Sequence, residues 1–193
     1  MDDRLYSSLK WTAIVLTIAW VSWTVYDSFI NTEINPGDQA YLAANNQFED
    51  EEYERALQYY QQAMYEDPNH IHALRGKARS LLQLKRYSEA LRTFDAAIAN
   101  QPDFAGTYAN RGILHDWMGN YPKALSDYEL ALQKDMEIGD GPNWFTRFFR
   151  LQPEKPPTIV ERANYLREQL AKPESERQLR IPEQDDKQRS YKM

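Results

Sequence analysis

One spacing governs what this chain can fold into: between residues 37 and 136 a pattern returns every 34 positions, three times over. Tyr53, Tyr87 and Tyr121 are each 34 apart, and so are Ala56, Ala90 and Ala124. Leu57, Leu91 and Leu125 keep the same step, as do Tyr60, Phe94 and Tyr128, and Ala63, Ala97 and Ala131. Pro68 and Pro102 continue the series, with Met136 where a third proline would fall. A fixed period held over many independent positions is the signature of a solenoid of stacked units. Small alanines let two helices approach closely, and the aromatic four residues later fills the space beside them. Each proline closes the second helix of its unit and fixes the turn into the next.

These residues resemble the tetratricopeptide repeat (TPR) family, whose units are helix–turn–helix pairs. Tyr108, Asn110, Arg111, Gly112, Gly119, Asn120 and Tyr121 of the third unit also look like the family pattern. The first unit departs from it, with Ala40 where a large residue is usual and Gln47 where an aromatic is usual. The resemblance implies an all-α chain with three units, 37–70, 71–104 and 105–138. It implies a way of binding but no reaction.

In the family the first helix of every unit lines a concave groove. Carried over position by position, the groove receives Tyr41, Leu42, Asn45, Phe48 and Glu49 from the first unit. The second unit supplies His72, Arg75, Arg79 and Leu82, and the third Ala109, Asn110, Ile113, Asp116 and Trp117. Arg75 and Arg79 are four apart and share a helix face. Two readings of that pair stand: a docking point for a partner's carboxylate, or charges solvated on an exposed face. One subset of the family grips a terminal carboxylate with five Lys, Asn and Arg side chains. Of those five positions only Asn45 matches here; Tyr41, Gly76, Gly106 and Asn110 hold the others, so that ligand mode is not expected.

Ahead of the repeats, residues 11–26 carry no charge, and extending the stretch back to Leu5 gives 22 residues, enough to span a bilayer as a helix. Lys10 can snorkel to the headgroups, and Trp11 at one end and Trp20, Trp23 and Tyr26 at the other suit the two interfaces. A single transmembrane helix is therefore expected over 5–26, behind a short flank within 1–10. Arg4 and Lys10 precede the span, which by the positive-inside rule puts the amino terminus in the cytoplasm. The repeats then lie on the non-cytoplasmic side, the periplasm if the cell is bacterial. The connector, 27–36, reaches about 35 Å at most, so the array stays close to the membrane.

Beyond Met136 the period is lost at Gly139-Asp140-Gly141-Pro142. The segment 142–171 opens with four aromatics and two arginines: Trp144, Phe145, Arg147, Phe148, Phe149 and Arg150. This run either seals the end of the solenoid or contacts membrane or a membrane-embedded partner. A capping helix follows, with Thr158 and Glu161 forming a capping box and Ile159, Ala163, Leu166 and Leu170 an apolar stripe. The polar tail 172–193 is expected to be mostly disordered, with a short docking element around Leu179-Arg180-Ile181-Pro182. Its acidic Glu183, Asp185 and Asp186 complement the Arg75/Arg79 pair and could occlude the groove.

The remaining composition narrows the function class. There is no cysteine, which excludes disulfides, thiolate metal sites and cysteine nucleophiles. A net charge of −6 argues against nucleic acid as the main partner. The acidic run Glu49-Asp50-Glu51-Glu52 reads as solvated turn charge, and His70, His72 and His115 have no metal-site spacing. With no phosphate loop or nucleophile arrangement, neither catalysis nor a cofactor is expected. The chain reads as a non-enzymatic, membrane-anchored adaptor or scaffold holding a peptide or subunit of another protein, in an assembly or chaperone-like role. The alternative is a constitutive structural subunit of a membrane complex.

Overall fold

The computed structural model describes residues 3–30, 35–140, 157–181 and 190–191; among these every regular element is helical. The chain forms two compact units, Met1–Asn35 and Pro36–Met193. The first holds α1 (Asp3–Ile30), 28 residues long, or about 42 Å at 1.5 Å per residue. Within it Tyr6–Asp27 is long and apolar enough to cross a membrane, with a mean hydropathy of 1.2. Trp11, Trp20, Trp23 and Tyr26 are all exposed. The hydroxyls of Thr12, Thr17 and Thr24 donate to the backbone carbonyls of Ser8, Ala13 and Val21, each at 2.9 Å. These side chains thus leave no hydroxyl proton unsatisfied in an apolar setting.

The second unit is three helix pairs. They are α2 (Asp38–Glu49) with α3 (Tyr53–Glu66), α4 (Ile71–Gln83) with α5 (Tyr87–Asn100), and α6 (Ala105–Trp117) with α7 (Tyr121–Lys134). The second helices begin at Tyr53, Tyr87 and Tyr121, the residues that mark the period. Ala56, Tyr60 and Ala63 are fully buried, as are Ala90, Phe94 and Ala97, and Ala124, Tyr128 and Ala131. The periodic residues are thus the core, each large side chain contributing about 1.5–3 kcal/mol by leaving water. Facing them, the first helices carry Ala44, Ala78 and Gly112, again 34 apart and buried.

The turn inside each unit repeats as closely as the core. Glu51, Lys85 and Gly119 all adopt positive φ, at 63°, 58° and 76°. The next residue's amide closes the helix in each case: Glu52 to Gln47 O at 2.9 Å, Arg86 to Leu81 O at 2.9 Å, and Asn120 to His115 O at 2.8 Å. This six-to-one bond around a left-handed residue satisfies carbonyls that the helix end would otherwise leave open. The acidic run of the first unit therefore lies in a turn, as its composition suggested. Across units, Arg111 donates to Asp127 at 2.8 and 2.7 Å and to Asp95 at 2.7 Å, tying α5, α6 and α7 together.

After α7 a 3-10 turn, Met136–Gly139, replaces the proline-led turn, with the Asp135 carboxylate accepting from the Glu137 amide at 2.9 Å. The final helix, α8 (Ile159–Leu170), begins with both hydrogen bonds of a capping box between Thr158 and Glu161. It buries Ile159, Ala163 and Leu166 in the main core. The following stretch departs from the disorder expected of a polar tail. Glu174–Glu176 form a 3-10 turn, the Gln178 amide donates to Gln169 Oε1 at 3.0 Å, and Arg162 donates to the Leu179 carbonyl at 3.0 Å. Polar residues hold this segment because α8 presents fixed partners to its backbone. The aromatic run Trp144–Arg150 and the acidic Glu183, Asp185 and Asp186 lie outside the described residues.

Candidate functional site

The first helices of the units, α2, α4 and α6, neighbour one another in order. Their shared face begins at the first unit with an aromatic cluster. The Tyr41 ring lies 5.0 Å from His70, 6.0 Å from His72 and 6.1 Å from Tyr60, centroid to centroid. The Tyr60 hydroxyl donates to Asn45 Oδ1 at 2.7 Å. Burial pushes that phenol up to about 12, against the Arg79 charge, which pulls it down. His70 is structural: its Nδ1 accepts from the Ala73 amide at 3.2 Å, capping α4, and its Nε2 lies 3.2 Å from Asp38. His72 stays exposed, its pKa lowered by partial burial and by the charges of Arg75 and His70.

At the centre, Arg75 and Arg79 are neither solvated nor paired with a carboxylate among the described residues: Arg75 is 1% exposed and Arg79 8%. The Arg75 guanidinium lies 3.8 Å above the Phe104 ring and donates through Nη2 to Gln101 Oε1. Its buried Nε has no partner among the described residues. Arg79 lies 4.1 Å above Phe48. Desolvation lowers the pKa of both, and the flat guanidinium tolerates this because it is weakly hydrated and attracted by a ring face. The result is a row of aromatic rings and guanidinium planes, from Tyr41 and Phe48 to Arg79 and Arg75, with Phe104 beyond.

The third unit contributes differently from its expected role. Ala109, Asn110 and Ile113 are fully buried, and Trp117 packs half-buried against the core. Asp116 does not face an open groove. It accepts two hydrogen bonds from Arg162 of α8, both at 2.7 Å, and a third from the Tyr128 hydroxyl at 3.1 Å. The reason is electrostatic, since a carboxylate removed from water requires a cation beside it. Of the remaining expected positions, Leu42 and Glu49 are exposed and Leu82 is buried.

Asn110 faces a segment that the groove assignment had not included. Its Nδ2 donates to the Tyr191 carbonyl at 3.1 Å, and its Oδ1 accepts from the Tyr191 amide at 2.7 Å. One residue earlier, the Ser190 hydroxyl accepts from Arg79 Nε at 3.5 Å. The signal available in the sequence was Tyr191 itself, an aromatic side chain in an otherwise polar tail. No group of three or more potential metal ligands occurs among the described residues.

A profile of the tetratricopeptide repeat family matches residues 47–110. This stretch of the chain carries tetratricopeptide repeats. Over 100 residues, half of its length, the chain is 28% identical to Hsp70-Hsp90 organizing protein 3 of Arabidopsis thaliana. It is 32% identical over 91 residues, 47% of the chain, to RNA polymerase II-associated protein 3 of Xenopus laevis. The chain spans only 18% and 14% of those relatives' own lengths, so the likeness is to their repeat regions. Among solved structures, the first TPR of Spaghetti bound to the HSP90 peptide SRMEEVD superposes with a TM-score of 0.57 at 18% identity. That match covers 74% of this chain and 99% of the other. The TPR2B domain of yeast Sti1, in its Hsp70 complex, gives 0.51 at 22% identity, covering 60% and 92%. These two likenesses show the fold. Of the five positions of the carboxylate clamp found in one subset of that family, only Asn45 matches, and it is bonded to Tyr60; Tyr41, Gly76, Gly106 and Asn110 hold the others, with Asn110 bonded to Tyr191.

Proposed function

We propose that this TPR protein is a non-enzymatic, membrane-anchored adaptor that holds an extended segment of a partner protein across α2, α4 and α6. The observation that carries the reading is the row of Tyr41, Phe48, Arg79 and Arg75, with Asn110 beyond it. The half-buried rings of Tyr41 and Phe48 supply anchoring area, the buried guanidiniums hold the rings around them in place, and an asparagine amide supplies both a donor and an acceptor for a peptide backbone. The similar proteins point the same way: one relative is an Hsp70-Hsp90 organizing protein, and of the two similar structures one holds an HSP90 peptide and the other is an Hsp70 complex. This chain lacks the basic clamp, so its ligand differs from an acidic carboxyl terminus.

The anchor is α1, whose uncharged centre and interfacial tryptophans suit a single span. With Arg4 and Lys10 on the cytoplasmic side, the repeats lie beyond the membrane. An adaptor held there serves assembly of a membrane or envelope complex. A photocrosslinking amino acid at exposed Leu42, compared with one at exposed Glu129 on α7, tests the reading in intact cells. Adducts to a defined partner at Leu42, weakened by Arg79→Ala and absent at Glu129, are expected. Equal adduct patterns at the two positions would refute it.

A further inference from the structure

The third-unit end of the groove is already engaged by a peptide, and the peptide is the chain's own. Asn110, fully buried on α6, grips the backbone of Tyr191 with one hydrogen bond in each direction. That two-point contact reads an extended main chain, not a particular side chain. The tyrosine side chain supplies the rest. Its hydroxyl accepts from the Ile159 amide at 3.2 Å, at the first turn of α8, where a helix has amides to spare. Its ring packs against the main core, and burial raises the phenol's pKa. Ser190 then reaches Arg79 on the neighbouring unit. Three elements, α4, α6 and the start of α8, therefore converge on two consecutive residues separated from α8 by about twenty positions of chain.

We propose that this end of the groove is a receptor for an extended segment carrying a serine followed by a tyrosine. Ser190-Tyr191 is its resident ligand, and a partner segment of the same chemistry displaces it. The proposal rests on the adaptor reading of the groove and adds its ligand class and its control. The chemistry beside the tyrosine extends the preference. A cleft of about 360 Å³ adjoins Tyr191, with Asp103, Asp135 and Glu137 on its walls. Asp103 is paired with Lys134 at 3.3 Å, so Asp135 and Glu137 are the carboxylates that a basic residue following the ligand's tyrosine would meet. Tethering gives the resident segment an effective concentration on the order of millimolar, so a partner competes only with tight binding or high local concentration. The groove is thereby closed to weak, non-specific peptides.

Two measurements on the full chain in detergent micelles test this. Hydrogen exchange at the Tyr191 amide, followed by mass spectrometry of carboxy-terminal fragments, should show protection that Asn110→Ala removes. An amide exchanging at the unprotected rate in the parent chain would overturn the resident ligand while leaving the adaptor reading to its own crosslinking test. The second measurement titrates a fluorescent peptide with the sequence of residues 187–193. A chain ending at Arg189 should bind it at least tenfold more tightly than the parent, and replacing the peptide's tyrosine with alanine should abolish the gain. Equal binding by the two chains up to millimolar peptide would overturn the displacement.

Discussion

The ring of Tyr60 occupies the space that a β-carbon on Gly76 would fill, at 2.3 Å from the nearest ring atoms. The glycine belongs to α4 and the tyrosine to α3, so this contact sets how closely the second unit stacks on the first. Tyr60 cannot swing aside cheaply, because it is fully buried and its hydroxyl is bonded to Asn45. Gly76→Ala should gain about 1 kcal/mol in helix propensity and lose more to overpacking, whose usual cost is about 1–3 kcal/mol. A net loss is expected from the midpoint of urea unfolding. A gain would mean that the units can slide apart without penalty.

The repeated positive φ at Glu51, Lys85 and Gly119 gives a prediction of opposite sign. Only the third unit has glycine there, although all three turns need the left-handed conformation. A β-carbon in that region costs about 1–2 kcal/mol, while glycine loses roughly 0.5–1 kcal/mol through unfolded-chain entropy. Lys85→Gly should therefore stabilise by up to about 1 kcal/mol, and Gly119→Ala should destabilise despite open space around it. Thermal unfolding of both variants checks the pair; destabilisation by Lys85→Gly would refute the argument.

These turns mark what the sequence made legible. Period and residue size located the helices, since every unit must bury the same small and aromatic positions. The capping box of Thr158 and Glu161 was equally plain, because it is local. Long-range partners were not. Nothing around Asp116 announces Arg162, 46 positions away, and although Tyr191 stands out as an aromatic in a polar tail, nothing there names Asn110 as its partner. Arg75 and Arg79 suggested either a docking point for a carboxylate or solvated charge, both on an exposed face, because arginine usually is exposed; the rings of Phe104 and Phe48 that shelter them come from outside α4. Periodicity reports on stacking neighbours, and the candidate site depends on residues outside the period.

The Arg162–Asp116 pair ties α8 to the last repeat, and both side chains are almost wholly buried. Removing the arginine leaves a carboxylate without its cation, with the Tyr128 hydroxyl still donating to it among the described residues. Loss of one partner of a buried pair typically costs about 3–5 kcal/mol. Arg162→Leu should show a loss of that order in urea. Arg162→Leu combined with Asp116→Leu should recover part of it, since neither charge of the pair is then left buried without the other. A double variant as unstable as the sum of the singles would show that the two do not interact.

His115 makes stability depend on pH. It is buried on α6, its Nδ1 has no partner among the described residues, and burial lowers its pKa. Asp127, 3.9 Å away, opposes that shift, whereas Arg111 and Lys123 reinforce it. Because the folded pKa lies below the unfolded value, the unfolded chain takes up the proton first as pH falls. Stability is therefore retained above about pH 6.5, the ordinary histidine value, and declines below it until the folded pKa is reached. His72, shifted in the same direction, adds to the decline in the parent chain. His115→Gln should flatten the fall between pH 7 and 5 while leaving the His72 share in place. An unchanged slope would assign the pH dependence elsewhere.

The absence of cysteine makes the proposed topology open to a direct test. Gln58 is exposed on α3, away from the groove residues, so Gln58→Cys adds a reactive thiol without disturbing the packing. Only Arg4 and Lys10 set the charge bias across α1, and basic residues near a span govern its orientation far more than acidic ones. A membrane-impermeant maleimide should therefore label Gln58→Cys in intact cells. Arg4→Glu with Lys10→Glu should reduce that labelling, because the flank would lose the charge that retains it in the cytoplasm. Labelling only after the cells are opened would place the repeats in the cytoplasm. The partner segment would then belong to a protein on that face.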